Sequence, residues 1–228
     1  MDMVLTDDEN MLRDAAKGFL ETSAPIAQLR RLRDEASTDG FDRDTWNAMV
    51  EMGWAGVLVS ERHGGAAMGY GAAGIIAEEM GRTLTASPWL STAVMGATAI
   101  GQFGSTAQQD HWLPRIAAGE AIIAIAVDEG RSHLPECVST AAEQSGEGFR
   151  LSGAKSFVAD GHVADVLLVS ARTAGNPDEP HGITLFLVST QTTGVTVERQ
   201  SMLDSRFSAS VGLEGVQVAA DAVVGEVD

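Results

Sequence analysis

The sequence is poor in cysteine and in long apolar runs, and each scarcity excludes a class of protein. Of its 228 residues only Cys137 is a cysteine, so no internal disulfide can form. No Cys or His grouping with metal-ligand spacing surrounds this thiol, and we expect it to be structural. No apolar run reaches the roughly 18 residues that a membrane-spanning helix needs, and residues 1–19 are too charged for a signal peptide. We therefore expect a cytoplasmic protein with no membrane span.

Lysine is also scarce, because Lys17 and Lys155 are the only two, and the formal net charge is −17 at pH 7. Phosphate backbones are held by clustered Lys and Arg, so we expect no nucleic-acid partner. The one basic run, Arg30 to Arg33, lies near the end of a predicted helix, where positive charge interacts favourably with the helix dipole. The composition, 44% hydrophobic, is that of a globular chain with one large core or two modest ones.

Helical signals fill the first half of the chain. A capping box, Thr6-x-x-Glu9, predicts the start of the first helix, and Pro25 interrupts or restarts its pattern. A second capping box predicts a last helix from Ser105 to Gly119. Between these two, helices are predicted over 43–52, 72–81 and 91–103. Helices joined by short connections predict a bundle.

One motif in this half has the pattern of a dinucleotide-binding loop but lacks its context. Gly69, Gly71 and Gly74 fit G-x-G-x-x-G and precede a predicted helix. No clear βαβ unit contains them, and no acidic residue between Glu79 and Asp110 is placed to hold a ribose hydroxyl. We therefore interpret these glycines as structural.

The pattern changes to strand spacing from Ala121 onward. Two short apolar runs, at 155–158 and 166–169, flank the turn signal Asp160-Gly161 and predict two central strands joined by a tight connection. Other strands are predicted over 121–127, 138–142, 149–151, 183–188, 194–198 and 211–218. Many short strands predict a β-barrel or sandwich. The expected fold class is therefore α+β, with a helical bundle domain over 1–120 and a β domain over 121–228.

Motifs in a fixed order and spacing give the chain a family resemblance. They are Gly53-Trp-x-Gly56 with Glu61-x-x-Gly64-Gly65, Glu78-Glu-Met-Gly81-Arg82, Leu113-Pro-x-Ile-Ala-x-Gly119-Glu120, Gly153-x-Lys155-x-Phe157-Val158, Ala164-Asp165, and Val216-x-Val218 leading to Asp221-Ala-Val-Val-Gly225. Together they resemble the acyl-CoA dehydrogenases, over the N-terminal helical and middle β domains only, with the C-terminal four-helix domain absent. The likeness is closest to the small subunit of pimeloyl-CoA dehydrogenase and similar heteromeric enzymes, through Arg131-Ser132 and residues 170–175 and 182–188.

The resemblance implies FAD-dependent α,β-desaturation of an acyl-CoA thioester. In such enzymes a glutamate removes the α-proton, the β-hydrogen leaves as hydride to the flavin, and the electrons pass to an electron-transfer flavoprotein-like acceptor. The missing domain supplies this glutamate, so no residue here is assigned as the catalytic base. The chain is expected to act as a subunit or fragment, in a homo- or hetero-oligomer with another acyl-CoA dehydrogenase-type subunit. A second hypothesis is a non-catalytic partner that stabilises or regulates a flavin-bearing subunit.

The resemblance, applied residue by residue, implies a flavin wall with two parts, one at the end of the first strand and one on the central strands. These are Ala126, Val127 and Asp128, and Phe157, Val158 and Ala159. Family members usually have threonine where Asp128 and Ala159 stand, and tryptophan where Phe157 stands. Ala159 therefore lacks a side-chain hydrogen bond toward the flavin. Asp128, if ionised, offers acceptors alone and adds negative charge beside a ring that must become electron-rich.

The resemblance places substrate contacts at Arg131 and Ser132. The usual serine contact to the pantetheine falls on Ser132. Arg131 is expected to form an ordinary ion pair, in preference to meeting a phosphate or an acidic acyl tail. For Lys155 an ion pair or turn role is favoured over catalysis.

Other candidate residues are interpreted as structural. The carboxylates of Glu61, Glu78 and Glu79 belong to family motifs of the helical domain. Ser132-His133 fails as a nucleophile pair, because a hydrolase serine needs a separate base and no strand-turn-helix elbow is present. No residue is predicted to bind a metal.

Overall fold

The computed structural model describes residues 4–228, with helices in the first half and strands in the second. The helices are α1 (Asp7–Ser23), α2 (Ile26–Asp34), α3 (Arg43–Glu51), α4 (Gly69–Thr83), α5 (Ala97–Phe103) and α6 (Thr106–Ala117). A π-helical segment, Leu90–Gly96, runs directly into α5. The strands are β1 (Ile123–Ala126), β2 (Ala141–Ser145), β3 (Gly148–Ala159), β4 (Val166–Arg172), β5 (Ile183–Ser189), β6 (Val195–Ser201), β7 (Phe207–Val218) and β8 (Val223–Val224). This order confirms the predicted fold class.

Local capping contacts fix the helix starts that the sequence predicts. The Thr6 hydroxyl accepts a hydrogen bond from the Glu9 N–H, and the Glu9 carboxylate accepts one from the Thr6 N–H at 2.8 Å. Ser105 and Gln108 make the same reciprocal pair at the start of α6. Helix α4 begins earlier than predicted, at Gly69, which has a φ of 78° and no side chain to oppose it.

The eight strands form one mixed sheet, in the order β6-β7-β3-β2-β4-β5-β8, with β1 parallel to β4. Strand β5 covers one edge of β4 along its whole length, so β1 and β2 share the other edge, which faces β3. The two predicted central strands, β3 and β4, are therefore both present but do not pair with each other. An earlier part of the chain lies between them.

The helices pack directly on the sheet. Thr92, in the π-helical segment, exchanges two hydrogen bonds with the main chain of Ile123 on β1, at 3.1 and 3.3 Å. The buried indole of Trp89 donates to the carbonyl of Trp54 at 2.9 Å. One core cluster contains both tryptophans and the buried side chains of β1, β3 and β4. This packing places the start of the π-helical segment beside the sheet.

Candidate functional site

The end of β1 lies against the middle of β3. The Ser156 N–H donates to the carbonyl of Asp128 at 2.8 Å, and the Ser156 hydroxyl donates to the carbonyl of Gly130 at 2.9 Å. These contacts follow from the topology, because β1 occupies the edge of β4 that faces β3. The structure thus brings together the two stretches, 126–128 and 157–159, that the sequence singles out.

A bulge turns one aromatic side chain of β3 outward. The register of β3 with β7 shifts between Lys155 and Val158, and Phe157 has a φ of 52°. A bulge of this kind re-aims the side chain that it carries. Phe157 is 47% exposed, whereas its neighbour Val158 is 1% exposed and packs in the core.

The six predicted wall residues therefore separate into two groups. The side chains of Ala126 and Val158 are buried in the core and cannot reach a ligand. The carbonyl of Val127 points inward and accepts a hydrogen bond from Lys155 at 3.4 Å. Phe157 and Ala159 are exposed and Val127 and Asp128 are half-buried, so the surface offers an aromatic face, small apolar groups and a carboxylate.

The Asp128 carboxylate is already engaged within the chain. Both of its oxygens lie 3.0 Å from Nδ1 of His133, whose ring is mostly exposed. The carboxylate therefore accepts from an imidazole N–H, and the positive charge of a protonated His133 would offset its own. The sequence gives no sign of this pair, because the five-residue spacing matches no motif.

A buried ion pair fastens the loop after β1 to β3. The Lys155 ammonium, fully buried, donates to Glu129 at 2.7 Å and to the Ser170 hydroxyl at 2.9 Å. Glu129 also accepts the N–H groups of Ser139 and Thr140, at 2.7 and 2.9 Å. Burial lowers the pKa of Lys155 below its usual range. Burial acts to raise the pKa of Glu129, but the hydrogen bonds from Lys155 and Thr140 outweigh it and the pKa is lowered. The ion pair predicted for Lys155 is confirmed.

The loop closed by this pair carries the two predicted substrate residues. Arg131 and Ser132 are exposed and line a cavity of about 520 Å³, together with Glu129 and Cys137. Within residues 4–228, no carboxylate lies within ion-pair distance of Arg131. The ordinary ion pair expected for Arg131 is thus wrong for this part of the chain, and its guanidinium is left for solvent or a ligand.

A second cavity, of about 420 Å³, lies between the helices and the sheet, and we call it the interdomain cleft. Its helical side is largely apolar, with Met80, Leu90 and Met95, and its sheet side contains Phe157 and Ala159. The lining further includes Ser87, Ser91, Asp160 and residues of the β6–β7 loop. Clefts of this size, apolar with a few polar groups, are typical small-molecule sites.

Asp160 is the residue of this cleft that sequence reasoning missed. The pair Asp160-Gly161 indicates only a turn, and the turn does occur, with Asp160 at a φ of 56°. Asp160 is half-buried, however, and its carboxyl lies 2.6 Å from the hydroxyl of Ser91. Burial raises the pKa of Asp160, although the contact with Ser91 and the charges of His162 and Arg206 act in the opposite direction. No local pattern connects two residues so far apart in the chain.

Of the other carboxylates that the sequence offers, Glu78 and Glu79 are held in structural contacts, and Glu61 is exposed. Arg82 bonds Glu78 at 2.6 Å and the buried Glu79 at 3.2 Å along α4. His133 contacts Asp128, and within residues 4–228 no hydrogen bond joins it to Ser132. No cluster of three or more His, Cys, Asp or Glu side chains suited to a metal occurs in the described part of the chain.

Comparison with known proteins assigns each half of the chain to a family model. A model described as "Acyl-CoA dehydrogenase, N-terminal domain" matches residues 6–120, and one described as "Acyl-CoA dehydrogenase, middle domain" matches residues 123–213. The pig mitochondrial long-chain specific acyl-CoA dehydrogenase is 32% identical over 81% of this chain and 44% of its own length. The acyl-CoA dehydrogenase FadE27 of Mycobacterium tuberculosis is 30% identical over 82% of this chain and 48% of its own length. The chain thus spans about half the length of these relatives.

Solved structures give the same result. The ChsE4-ChsE5 complex from Mycobacterium tuberculosis matches 99% of this chain and 58% of its own chain, with a TM-score of 0.87 and 27% identity. A variant of the Tcur3481-Tcur3483 steroid ACAD matches 96% of this chain and 57% of its own, with a TM-score of 0.83 and 29% identity. Within residues 4–228, no helix is both long and apolar enough to cross a membrane.

Proposed function

Because this chain belongs to the acyl-CoA dehydrogenase family, we propose that it supplies the flavin wall and one side of the acyl-CoA site of an FAD-dependent enzyme that desaturates an acyl-CoA thioester. The chain acts as a subunit or fragment of a cytoplasmic enzyme. Its helical and β domains meet near residue 120, between the ranges of the two family models.

The juxtaposition of β1 and β3 carries this proposal. The hydrogen bond from Ser156 to Asp128 joins the two parts of the predicted wall, which are almost thirty residues apart in sequence. The bulge beside it turns Phe157 toward the interdomain cleft. An aromatic side chain exposed beside an apolar cleft fits a stacked or edge-on aromatic ring, and such contacts contribute roughly 0.5–1.5 kcal/mol beyond the area that they bury.

The residues present fit a flavin ring as a packing surface. Phe157 offers an aromatic face and Ala159 a small side chain that allows close approach. Side-chain donors are missing at 128 and 159, so the polar edge of the ring is left to main-chain N–H groups. When bound, FAD supplies the hydride acceptor of the reaction. The wall orients the ring and, with the helices, keeps water from one of its faces.

The loop after β1 is suited to the CoA part of the substrate. Arg131 and Ser132 project from it beside a cavity of about 520 Å³. The Glu129–Lys155 pair holds the base of this loop against β3. A guanidinium with no ion-pair partner within residues 4–228 suits a phosphate or carboxylate of the substrate, which it can bind in bidentate fashion.

We assign no catalytic base within this chain. Asp160 lines the cleft, but its carboxyl is engaged by Ser91 and its pKa is raised by burial. A partner subunit of the same family, or a further domain, supplies the glutamate and the contacts for the rest of the FAD. We further propose a heteromeric enzyme resembling those with a pimeloyl-CoA dehydrogenase small subunit, with an electron-transfer flavoprotein-like acceptor. Two similar structures are described by paired protein names, which supports association between different subunits.

A second candidate function is a non-catalytic partner subunit. The pairing of Asp128 with His133 and the bare methyl group of Ala159 favour it, because both remove side-chain hydrogen bonds from the flavin wall. In this case the chain stabilises or regulates a flavin-bearing subunit and holds no flavin of its own.

A count of flavin per chain distinguishes the two functions. The chain is co-expressed with a candidate partner subunit of the acyl-CoA dehydrogenase type, the complex is reconstituted with FAD, and bound flavin is measured by visible absorbance. One flavin per copy of this chain supports the flavin wall. Flavin in proportion to the partner alone, with a colourless chain, supports the second function.

Phe157→Ala, with Phe103→Ala as its control, locates the site. Both phenylalanines are exposed, at 47% and 58%, but only Phe157 lines the cleft. Loss of the aromatic contact should weaken FAD binding by about 2- to 12-fold in Phe157→Ala. Phe103→Ala should bind FAD as the unchanged chain does. Equal affinity in all three proteins would contradict the proposed wall.

A further inference from the structure

On the polar side of the interdomain cleft, two contacts of Ser91 bear on whether Asp160 is protonated. The Ser91 hydroxyl oxygen lies 2.6 Å from Oδ2 of Asp160 and 3.0 Å from the carbonyl oxygen of Pro88. A serine hydroxyl has one proton to donate, and a carbonyl can only accept. A neutral Asp160 that donates to Ser91, which donates in turn to Pro88, satisfies both contacts with separate protons, whereas an ionised Asp160 leaves the single Ser91 proton shared between two acceptors.

The surroundings of Asp160 favour the neutral acid. Burial raises its pKa. The charged or titratable groups that face it are His162 from the turn after β3 and Arg206 from the β6–β7 loop, and Asp204 of the same loop lines the cleft. The helices contribute no titratable side chain to the cleft lining found within residues 4–228. Burial also lowers the pKa of His162, which disfavours a positive charge on that ring.

The cleft has further capacity for hydrogen bonding. Among residues 4–228, no group donates to Oδ1 of Asp160. Ser87 lines the same cleft, and its buried hydroxyl has no hydrogen-bond partner in the described part of the chain. Buried polar groups that remain unpaired are unfavourable, so a ligand that pairs with them binds more tightly than one that does not.

We propose that Asp160 is a specificity-determining residue that selects an acyl group bearing a hydroxyl. Asp160 is a neutral acid, fixed through Ser91, and its Oδ1 accepts the hydrogen bond of the ligand hydroxyl. The apolar helical side of the cleft, with Met80, Leu90 and Met95, packs the hydrocarbon part of the same acyl group. This inference rests on the proposed function, with the flavin ring against Phe157 and Ala159 on the sheet side of the cleft and the acyl group against its helical side.

Paired ligands test this selection. Binding of lauroyl-CoA and of ω-hydroxylauroyl-CoA to the FAD-reconstituted complex is measured by calorimetry. We expect the hydroxylated thioester to bind about 3- to 10-fold more tightly, because one further neutral hydrogen bond is made. Asp160→Leu should abolish this preference, so that the two thioesters bind with equal affinity.

Two substitutions separate the effect of Asp160 protonation from a change in the structure of the cleft. Asp160→Asn mimics the neutral acid, because its amide donates to Ser91 and its carbonyl stays free, and it should retain the preference. In the unchanged protein, lauroyl-CoA affinity should fall as pH rises through the folded-state pKa of Asp160, because a charge then enters the cleft. Asp160→Asn should remove this pH dependence. Asp204→Asn, a matched change at an exposed residue of the same cleft, should leave it intact.

The outcomes distinguish a failure of the role proposed for Asp160 from a failure of the proposed acyl-CoA site. Equal binding of both thioesters, or an unchanged pH dependence in Asp160→Asn, would overturn the role of Asp160 and leave the acyl-CoA site standing. No binding of either thioester would contradict the proposed function and this inference together. If Asp160→Leu does not fold, the Asp160→Asn comparison and the carboxyl carbon NMR shift of Asp160 at neutral pH decide the question. A shift typical of an ionised carboxylate overturns the inference.

Discussion

Removal of Glu129 should be one of the most damaging single changes near the proposed site. Its partner, the ammonium of Lys155, is fully buried, and without Glu129 it retains only the Ser170 hydroxyl and the Val127 carbonyl. Loss of one partner from a buried ion pair costs about 3–5 kcal/mol of unfolding free energy. Glu129→Ala also leaves the N–H groups of Ser139 and Thr140 without their acceptor.

The ordinary pKa of lysine sets an upper limit to what the unpaired charge of Lys155 can cost. At pH 7 the stranded Lys155 can escape by releasing its proton, which costs about 5 kcal/mol from an ordinary pKa of 10.5. At pH 9 the same escape costs only about 2 kcal/mol. The part of the destabilisation of Glu129→Ala that comes from the unpaired charge should therefore shrink from about 3–5 kcal/mol at pH 7 to about 2 kcal/mol at pH 9, while the cost of the unpaired Ser139 and Thr140 N–H groups stays the same.

The reciprocal change should be milder. Glu129 is 14% exposed and keeps two main-chain donors when Lys155 is replaced by methionine. We expect Lys155→Met to cost about 1–3 kcal/mol, and the double variant to cost less than the sum of the two. Urea unfolding of the unchanged protein, Glu129→Ala, Lys155→Met and the double variant, at pH 7 and pH 9, measures these free energies. A cost below about 1 kcal/mol for Glu129→Ala, or one that does not change with pH, would refute the reasoning.

Three other changes test contacts between segments that are distant in sequence. Gly40→Ala should cost about 1–3 kcal/mol in thermal unfolding, because a Cβ there would overlap the Phe207 ring and the φ is 73°; full stability would contradict that packing. Trp89→Phe should cost about 0.5–1.5 kcal/mol by removing one of the two hydrogen bonds to the buried carbonyl of Trp54, and a loss well below this range in urea unfolding would argue against the hydrogen bond. Burial lowers the pKa of His162, so its contribution is complete above the unfolded pKa of 6.5 and is lost as pH falls through the folded pKa. His162→Gln should therefore flatten the acid side of the stability profile, and an unchanged slope would count against a buried neutral ring.

Features encoded within a few residues could be predicted from the sequence. The capping boxes at Thr6 and Ser105 are complete within one helical turn, and both helices begin where those boxes indicate. The ion-pair role of Lys155 could also be predicted, because a lone lysine inside an apolar strand needs a partner. The identity of its partner could not be predicted, because Glu129 lies in a loop whose path depends on the sheet.

Features that depend on distant parts of the chain could not be predicted. The tight connection after β3 favours a hairpin, yet β1 lies between the two strands because it pairs in parallel with β4. The burial of Asp160 depends on Ser91, which belongs to a helix of the other half. The outward orientation of Phe157 depends on a bulge set by pairing with β7. The resemblance supplied the wall positions, but only the structure shows which of those side chains reach the surface.

The central claim is that the end of β1 and the bulge of β3 together contact a flavin ring. Photolabelling of the assembled complex with an azido-substituted FAD, followed by peptide mapping, tests it most directly. The label should fall on peptides containing residues 126–130 or 155–160 of this chain, and excess FAD should prevent it. Labelling confined to the partner subunit would contradict the claim.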